Sequence, residues 1–155
     1  MQKQIADFTP GEEAVTAMVD GHRVGAFICY EAISPDLVRQ FAAGGAELLV
    51  NITNDAWYGR TSAPHQHMAM AAFRAVENGK YLVRAANTGV TAVVDPHGRV
   101  LQRTALFERT MLVRDVAFVP GLTFYARHGD VFAWSCLALA AVLLALARFA
   151  RGGLR

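Results

Sequence analysis

The chain has 155 residues and a formal net charge of +2, enough length for one ordinary domain. Residues 1–130 carry 12 Lys/Arg against 13 Asp/Glu, so the globular part has no basic excess and a nucleic-acid partner is excluded. Residues 131–155 carry three Arg and no acid. Cys29 and Cys136 are the two cysteines, and no disulfide between them is expected because Cys136 lies inside a long apolar run. The first twenty residues are mixed polar and lack the apolar core of a signal peptide.

In chain order, Phe8-Thr9-Pro10-Gly11 reads as a turn and residues 12–19 as a short strand or helix. Asp20-Gly21 is a hairpin-type turn. Val24-Gly25-Ala26-Phe27-Ile28-Cys29-Tyr30-Glu31 then reads as a buried strand of an α/β sheet that stops at a carboxylate. Ser34 is placed to cap the next helix, with Pro35 in its first turn and Asp36 complementing its positive end. That helix is predicted over Pro35–Ala43, with Leu37, Val38 and Phe41 on one face and Gly44-Gly45 ending it. A strand over residues 46–52 completes a βαβ unit, so the two strands are expected to be parallel.

Cys29 thus falls at the carboxyl end of a buried strand, just before a helix, where open α/β sheets bind ligands. A thiol in that position is suited to nucleophilic attack, although most free cysteines are plain core residues. Thr53-Asn54-Asp55-Ala56-Trp57-Tyr58-Gly59, at the next strand's carboxyl end, is expected to form the second wall of a cleft. A second helix is predicted over Ala63–Asn78. Met68, Ala72, Ala75 and Val76 form its core stripe, and Arg74, Glu77 and Asn78 lie toward a polar side. His65 and His67, two apart, do not share a helix face and lack a third ligand. They are read as surface or loop histidines, and no metal is expected.

Residues 81–86 form a third strand. Residues 90–94 and 99–102 pair across the Asp95-Pro96-His97-Gly98 turn, and residues 109–116 read as an edge-type strand. Residues 131–147 carry no charge and, at 1.5 Å per residue, span roughly 25 Å, the short end for a bilayer crossing. With Trp134 near one end and Arg148, Arg151 and Arg155 after the other, this is read as a transmembrane helix over residues 131–149 rather than a buried core helix. The basic tail, residues 150–155, falls on the cytoplasmic side and residues 1–130 on the opposite side.

The strings Ile28-Cys29-Tyr30-Glu31, Asn51-Ile52-Thr53-Asn54-Asp55-Ala56-Trp57-Tyr58-Gly59 and Arg84-Ala85-Ala86-Asn87-Thr88-Gly89-Val90-Thr91-Ala92 resemble the carbon–nitrogen hydrolase (nitrilase) superfamily. Within it they are similar to the bacterial apolipoprotein N-acyltransferase family, as are Asp7-Phe8-Thr9-Pro10-Gly11, the 121–130 segment and the apolar tail. The resemblance implies the C-terminal part of a nitrilase-like α-β-β-α sandwich over residues 1–120, a link over 121–130, and one transmembrane helix. It implies acyl transfer from a phospholipid donor to the N-terminal amine of an apolipoprotein through a thioester on Cys29, at the bacterial inner membrane and without a cofactor. Glu31 matches a glutamate the family requires. Tyr30, Asn54 and Trp57 match positions that shape the substrate cleft.

The superfamily also uses a glutamate base and a lysine, both well N-terminal to the cysteine. Lys3, Glu12 and Glu13 match neither motif. The resemblance therefore implies a C-terminal portion, inactive or nearly so alone, with a missing N-terminal half among its expected partners. That missing half would cover sheet edges and apolar faces left open here. The other readings are a non-catalytic membrane-anchored module that binds lipid or lipoprotein, and an amidase of the soluble type.

Overall fold

The computed structural model describes residues 11–152. Residues 8–10 of the expected first turn and 153–155 of the basic tail lie outside them. Asp20 and Gly21 both take positive φ, 49° and 83°, the mirror-image turn that matches the twist of paired strands. They join β1 (Thr16–Val19) to β2 (His22–Ile28) in antiparallel register. A single 3-10 turn, Cys29–Ile33, leads into α1 (Pro35–Ala43). Then follow β3 (Leu48–Asn54), a short 3-10 turn over Ala56–Tyr58, α2 (Ala63–Asn78) and β4 (Tyr81–Asn87). β5 (Ala92–Val94) and β6 (Val100–Arg103) form the expected hairpin, whose turn is held by Asp95 accepting from the backbone of His97 and Arg99.

The six strands lie in sequence order. β2, β3 and β4 run parallel at the centre and the outer pairs are antiparallel. The parallel βαβ unit is as the sequence predicts, and both helix spans agree with the spacing of apolar residues. Ser34 sits at the N-cap of α1, but its side chain makes no capping bond; Pro35 and Asp36 alone favour that end.

One face of the sheet is covered. Phe27, Leu49, Leu82, Ala92 and Val94 pack against Val38 and Phe41 of α1 and Met68, Ala71 and Ala75 of α2. β2 and α1 approach so closely that a Cβ on Gly25 would lie 2.7 Å from that of Phe41. Val76, expected in this core, is instead exposed, and Ala71 fills the place. The apolar stripe of α2 runs at 3–4-residue steps through 68, 71 and 75, which turns 76 outward.

The other face is open over its middle strands. Ala26, Val50 and Val83 stand in one cross-strand row and Ile28, Ile52 and Ala85 in the next. Ile28 is 65% exposed and Ile52 54%. Residues 109–116 do not form the expected strand. Thr110, Met111 and Leu112 run beside this face without joining the ladder, and Met111 and Val113 are exposed. Alternation specifies an extended chain, but a strand also needs a hydrogen-bonding neighbour.

Before the last helix the chain is fastened to the domain. Lys80 Nζ donates to the carbonyls of Val119 (2.5 Å) and Gly121 (2.6 Å). Thr123 Oγ1 donates to the Glu77 carbonyl, and the same hydroxyl caps a short helix, α3 (Phe124–His128), by accepting from Ala126 N at 2.9 Å. α3 was not anticipated. It closes over the side of α2 that carries Arg74 and Asn78, so both are buried rather than on an open polar side. α4 (Val131–Gly152) follows, with residues 131–148 long and apolar enough to cross a membrane and none of them buried.

Candidate active site

β2 delivers Cys29 at its carboxyl end. Cys29 takes φ +51°, a left-handed backbone conformation that non-glycine residues adopt rarely and that clusters at functional sites. The parallel register places Ile28 beside Ile52 and Asn54 beside Asn87, so the ends of β2, β3 and β4 face one region. Tyr30 and Glu31 share the turn with Cys29. Both are exposed, and Glu31 Oε2 accepts from Ile28 N at 2.5 Å, which ties the carboxylate to the strand end.

On the neighbouring turn, Asn54 Oδ1 accepts from Ala56 N at 3.1 Å. Trp57 is 82% exposed, whereas Tyr58 brings its ring edge-on to His67 with centroids 6.0 Å apart. A hollow of about 130 Å³ beside the turn is lined by Tyr30, Ile33, Tyr58, Gln66, His67 and Met70 among others. Burial raises the Tyr58 hydroxyl above its ordinary pKa, and the nearby Cys29 and Asp55 add to this, so it remains protonated at neutral pH.

Behind the turn lies a buried polar cluster that the sequence reading did not assemble. Arg84, fully buried on β4, donates to Asp55 Oδ2 at 2.9 Å and to Asn51 Oδ1. Thr53 Oγ1 donates to Asp55 Oδ1 at 2.9 Å. His67 Nδ1 lies 3.0 Å from the same oxygen, and His67 Nε2 lies 3.1 Å from the Cys29 carbonyl oxygen. Burial pulls the Arg84 guanidinium down from its ordinary pKa, while the Asp55 carboxylate holds it up. Gly89 approaches Asp55 so closely that a Cβ would collide with its carboxylate.

His67 is only 3% exposed, which overturns its reading as a surface or loop histidine. The helical step that turns His65 to solvent carries His67 inward with Met68. The signal available in the sequence was Arg84: a charge on the inward-facing register of an otherwise apolar strand needs a buried partner. Among the described residues, no group of three or more His, Cys, Asp or Glu is placed to hold a metal ion. Cys29 and Cys136 are both free.

The carbon–nitrogen hydrolase family matches residues 4–119. The chain belongs to that family. It is 50% identical over 143 residues to the apolipoprotein N-acyltransferase of Geobacter metallireducens, a match covering 92% of this chain and 27% of the relative. The chain spans about a quarter of the length of the curated relatives it matches. A carbon–nitrogen hydrolase from Helicobacter pylori G27, 19% identical, shares the fold with a TM-score of 0.56 over 63% of this chain and 42% of that one. A mutant of the amidase from Nesterenkonia sp. AN1, whose structure shows covalent addition of the acetamide moiety of fluoroacetamide at the active site cysteine, is 29% identical. Its TM-score is 0.52, over 74% of this chain and 41% of that one.

Proposed function

We propose that this chain is the cysteine-bearing portion of an apolipoprotein N-acyltransferase. The observation that carries the reading is Cys29: a thiol at the carboxyl end of a central parallel strand, in a left-handed turn, backed by a buried polar cluster. The Cys29 thiolate attacks the ester carbonyl of a phospholipid. The carbon–oxygen ester bond breaks, a lysophospholipid leaves with the proton that the thiol gave up to the base, and the acyl group stays as a thioester. The α-amine of a diacylglyceryl-cysteine apolipoprotein then attacks the thioester. A carbon–nitrogen bond forms, the carbon–sulfur bond breaks, and the amine proton passes to a base.

Glu31 secures the Cys29 turn beside the reacting atoms, and Tyr30, Asn54 and Trp57 border the approach of the lipid. Trp57 and α4 both expose apolar surface suited to a bilayer, which favours a lipid substrate over a small soluble amide. α4 crosses the inner membrane with Arg148, Arg151 and Arg155 on the cytoplasmic side and the sheet on the periplasmic side.

The base and the oxyanion-holding lysine come from chain outside these residues. General-base assistance is worth about 100- to 10,000-fold, so the 155 residues alone are expected to react slowly or not at all with phospholipid. An activated ester, which needs less assistance, isolates the nucleophile. After incubation with p-nitrophenyl butyrate in detergent, with Cys136→Ser in both proteins, the otherwise wild-type chain is expected to gain one butyryl mass that hydroxylamine removes, and Cys29→Ser is expected to gain none. An adduct that persists in Cys29→Ser, or none in wild type, overturns Cys29 as the acyl acceptor.

A further inference from the structure

Three consecutive points on the backbone that presents Cys29 are each held by a side chain. Asn51 Nδ2 donates to the Phe27 carbonyl at 3.2 Å, Glu31 Oε2 accepts from Ile28 N, and His67 Nε2 meets the Cys29 carbonyl at 3.1 Å. The first and third trace back to one buried guanidinium: Arg84 holds Asn51 through Nη1 and Asp55 through Nη2, and Asp55 in turn meets His67. Arg84 Nη2 also lies 3.1 Å from His67 Nδ1. A carbonyl oxygen only accepts, so the contact at Nε2 is a hydrogen bond in the forms of His67 that carry a hydrogen there, and Nδ1 accepting from Arg84 Nη2 favours that tautomer.

We infer that His67 is a positioning residue for the Cys29 nucleophile: from α2, oriented by Asp55 and Arg84, it pins the Cys29 carbonyl and keeps that residue in its left-handed turn. A left-handed non-glycine residue persists only where its surroundings over-determine it, and this carbonyl is met by His67 of α2, which Asp55, just past β3, and Arg84 of β4 hold in turn. The inference rests on the reading of Cys29 as the acyl acceptor. A histidine serving only to fill the core would need the volume of its ring and the bond to Asp55, and would not need the Nε2 hydrogen.

The test uses the full 155-residue chain in detergent, with Cys136→Ser in every variant so that Cys29 is the sole thiol. His67→Leu removes the donor, and His67→Gln restores an amide N–H near the place of Nε2. Two readouts run together: the p-nitrophenolate burst from p-nitrophenyl butyrate, and the ¹³C carbonyl resonance of labelled Cys29, which reports the hydrogen bond without any reaction. Melting curves identify variants that remain folded.

His67→Leu is expected to slow the burst about tenfold at an unchanged KM for the ester and to shift the carbonyl resonance, while His67→Gln recovers both. A wild-type burst rate in folded His67→Leu, an unshifted resonance, or a loss that His67→Gln does not recover would overturn the role. A burst missing from wild type removes the acyl-acceptor reading instead, and the carbonyl resonance still decides whether His67 holds the turn.

Discussion

The two faces of the sheet follow opposite rules. On the covered face, Phe27, Leu49 and Leu82 meet two helices, and toward the strand ends the same inward register turns polar through Asn51, Thr53 and Arg84. On the open face, Ile28 and Ile52 stand side by side, half exposed, with only an extended segment nearby. Both faces of the central strands are apolar enough to be buried. One face therefore shows what the helices of this chain cover, and the other is left open over its middle strands among the described residues. The contrast predicts that equal substitutions will have unequal effects on the two faces.

The largest effect is expected at the polar end of the covered face. Arg84→Met leaves Asp55 buried without its cation and should cost about 3–5 kcal/mol, read as a lowered urea midpoint. Gly89→Ala drives a methyl into the same carboxylate. It should cost about 1–3 kcal/mol, because a buried ion pair has little room to move. Between these falls Leu49→Ala, in the apolar part of that face, at about 2–5 kcal/mol.

What the sequence disclosed follows the same division. The helices at Pro35–Ala43 and Ala63–Asn78 and the parallel pairing of β2 with β3 were legible, because amphipathic spacing, Pro and Gly signals and connection length are local. Motif likeness singled out Cys29, Tyr30, Glu31, Asn54 and Trp57 as candidates, and the fold brings them to the ends of the adjacent strands β2 and β3. The Arg84–Asp55–His67 cluster was not legible, since it joins residues 12 to 29 positions apart, and it takes the register of β3 with β4 and the packing of α2 on the sheet to bring them together. The 109–116 segment misled for the converse reason: its alternation is local, but strand formation depends on a neighbour.

A second polar interior, where α3 covers α2, offers a smaller effect with a pH signature. Burial raises the Glu77 carboxyl above its ordinary 4.5, although Arg74 pulls it down. The folded chain then holds that proton more tightly than the unfolded chain. The stability Glu77 contributes is fully present below about pH 4.5 and is lost as pH rises through the raised folded value. Glu77→Gln cannot titrate, so the slope of urea midpoint against pH between 4.5 and 7 should flatten. The difference should be about 1 kcal/mol or less, since the group is only partly buried.

The smallest effect on stability is expected on the open face. Ile52→Thr keeps a β-branched side chain of high strand propensity and removes apolar surface that water already reaches, so the urea midpoint should move by no more than about 0.5 kcal/mol. Its consequence should appear in association. The apolar rows through Ile28 and Ile52 are the kind of surface that pairs with other copies, and Ile52→Thr should shift sedimentation in detergent toward the monomer. If Ile52→Thr were instead as destabilising as Leu49→Ala, water would not reach Ile52 in solution. The open face would then be covered by the chain itself or by a second copy, and dilution separates the two, because only cover by another molecule weakens with concentration.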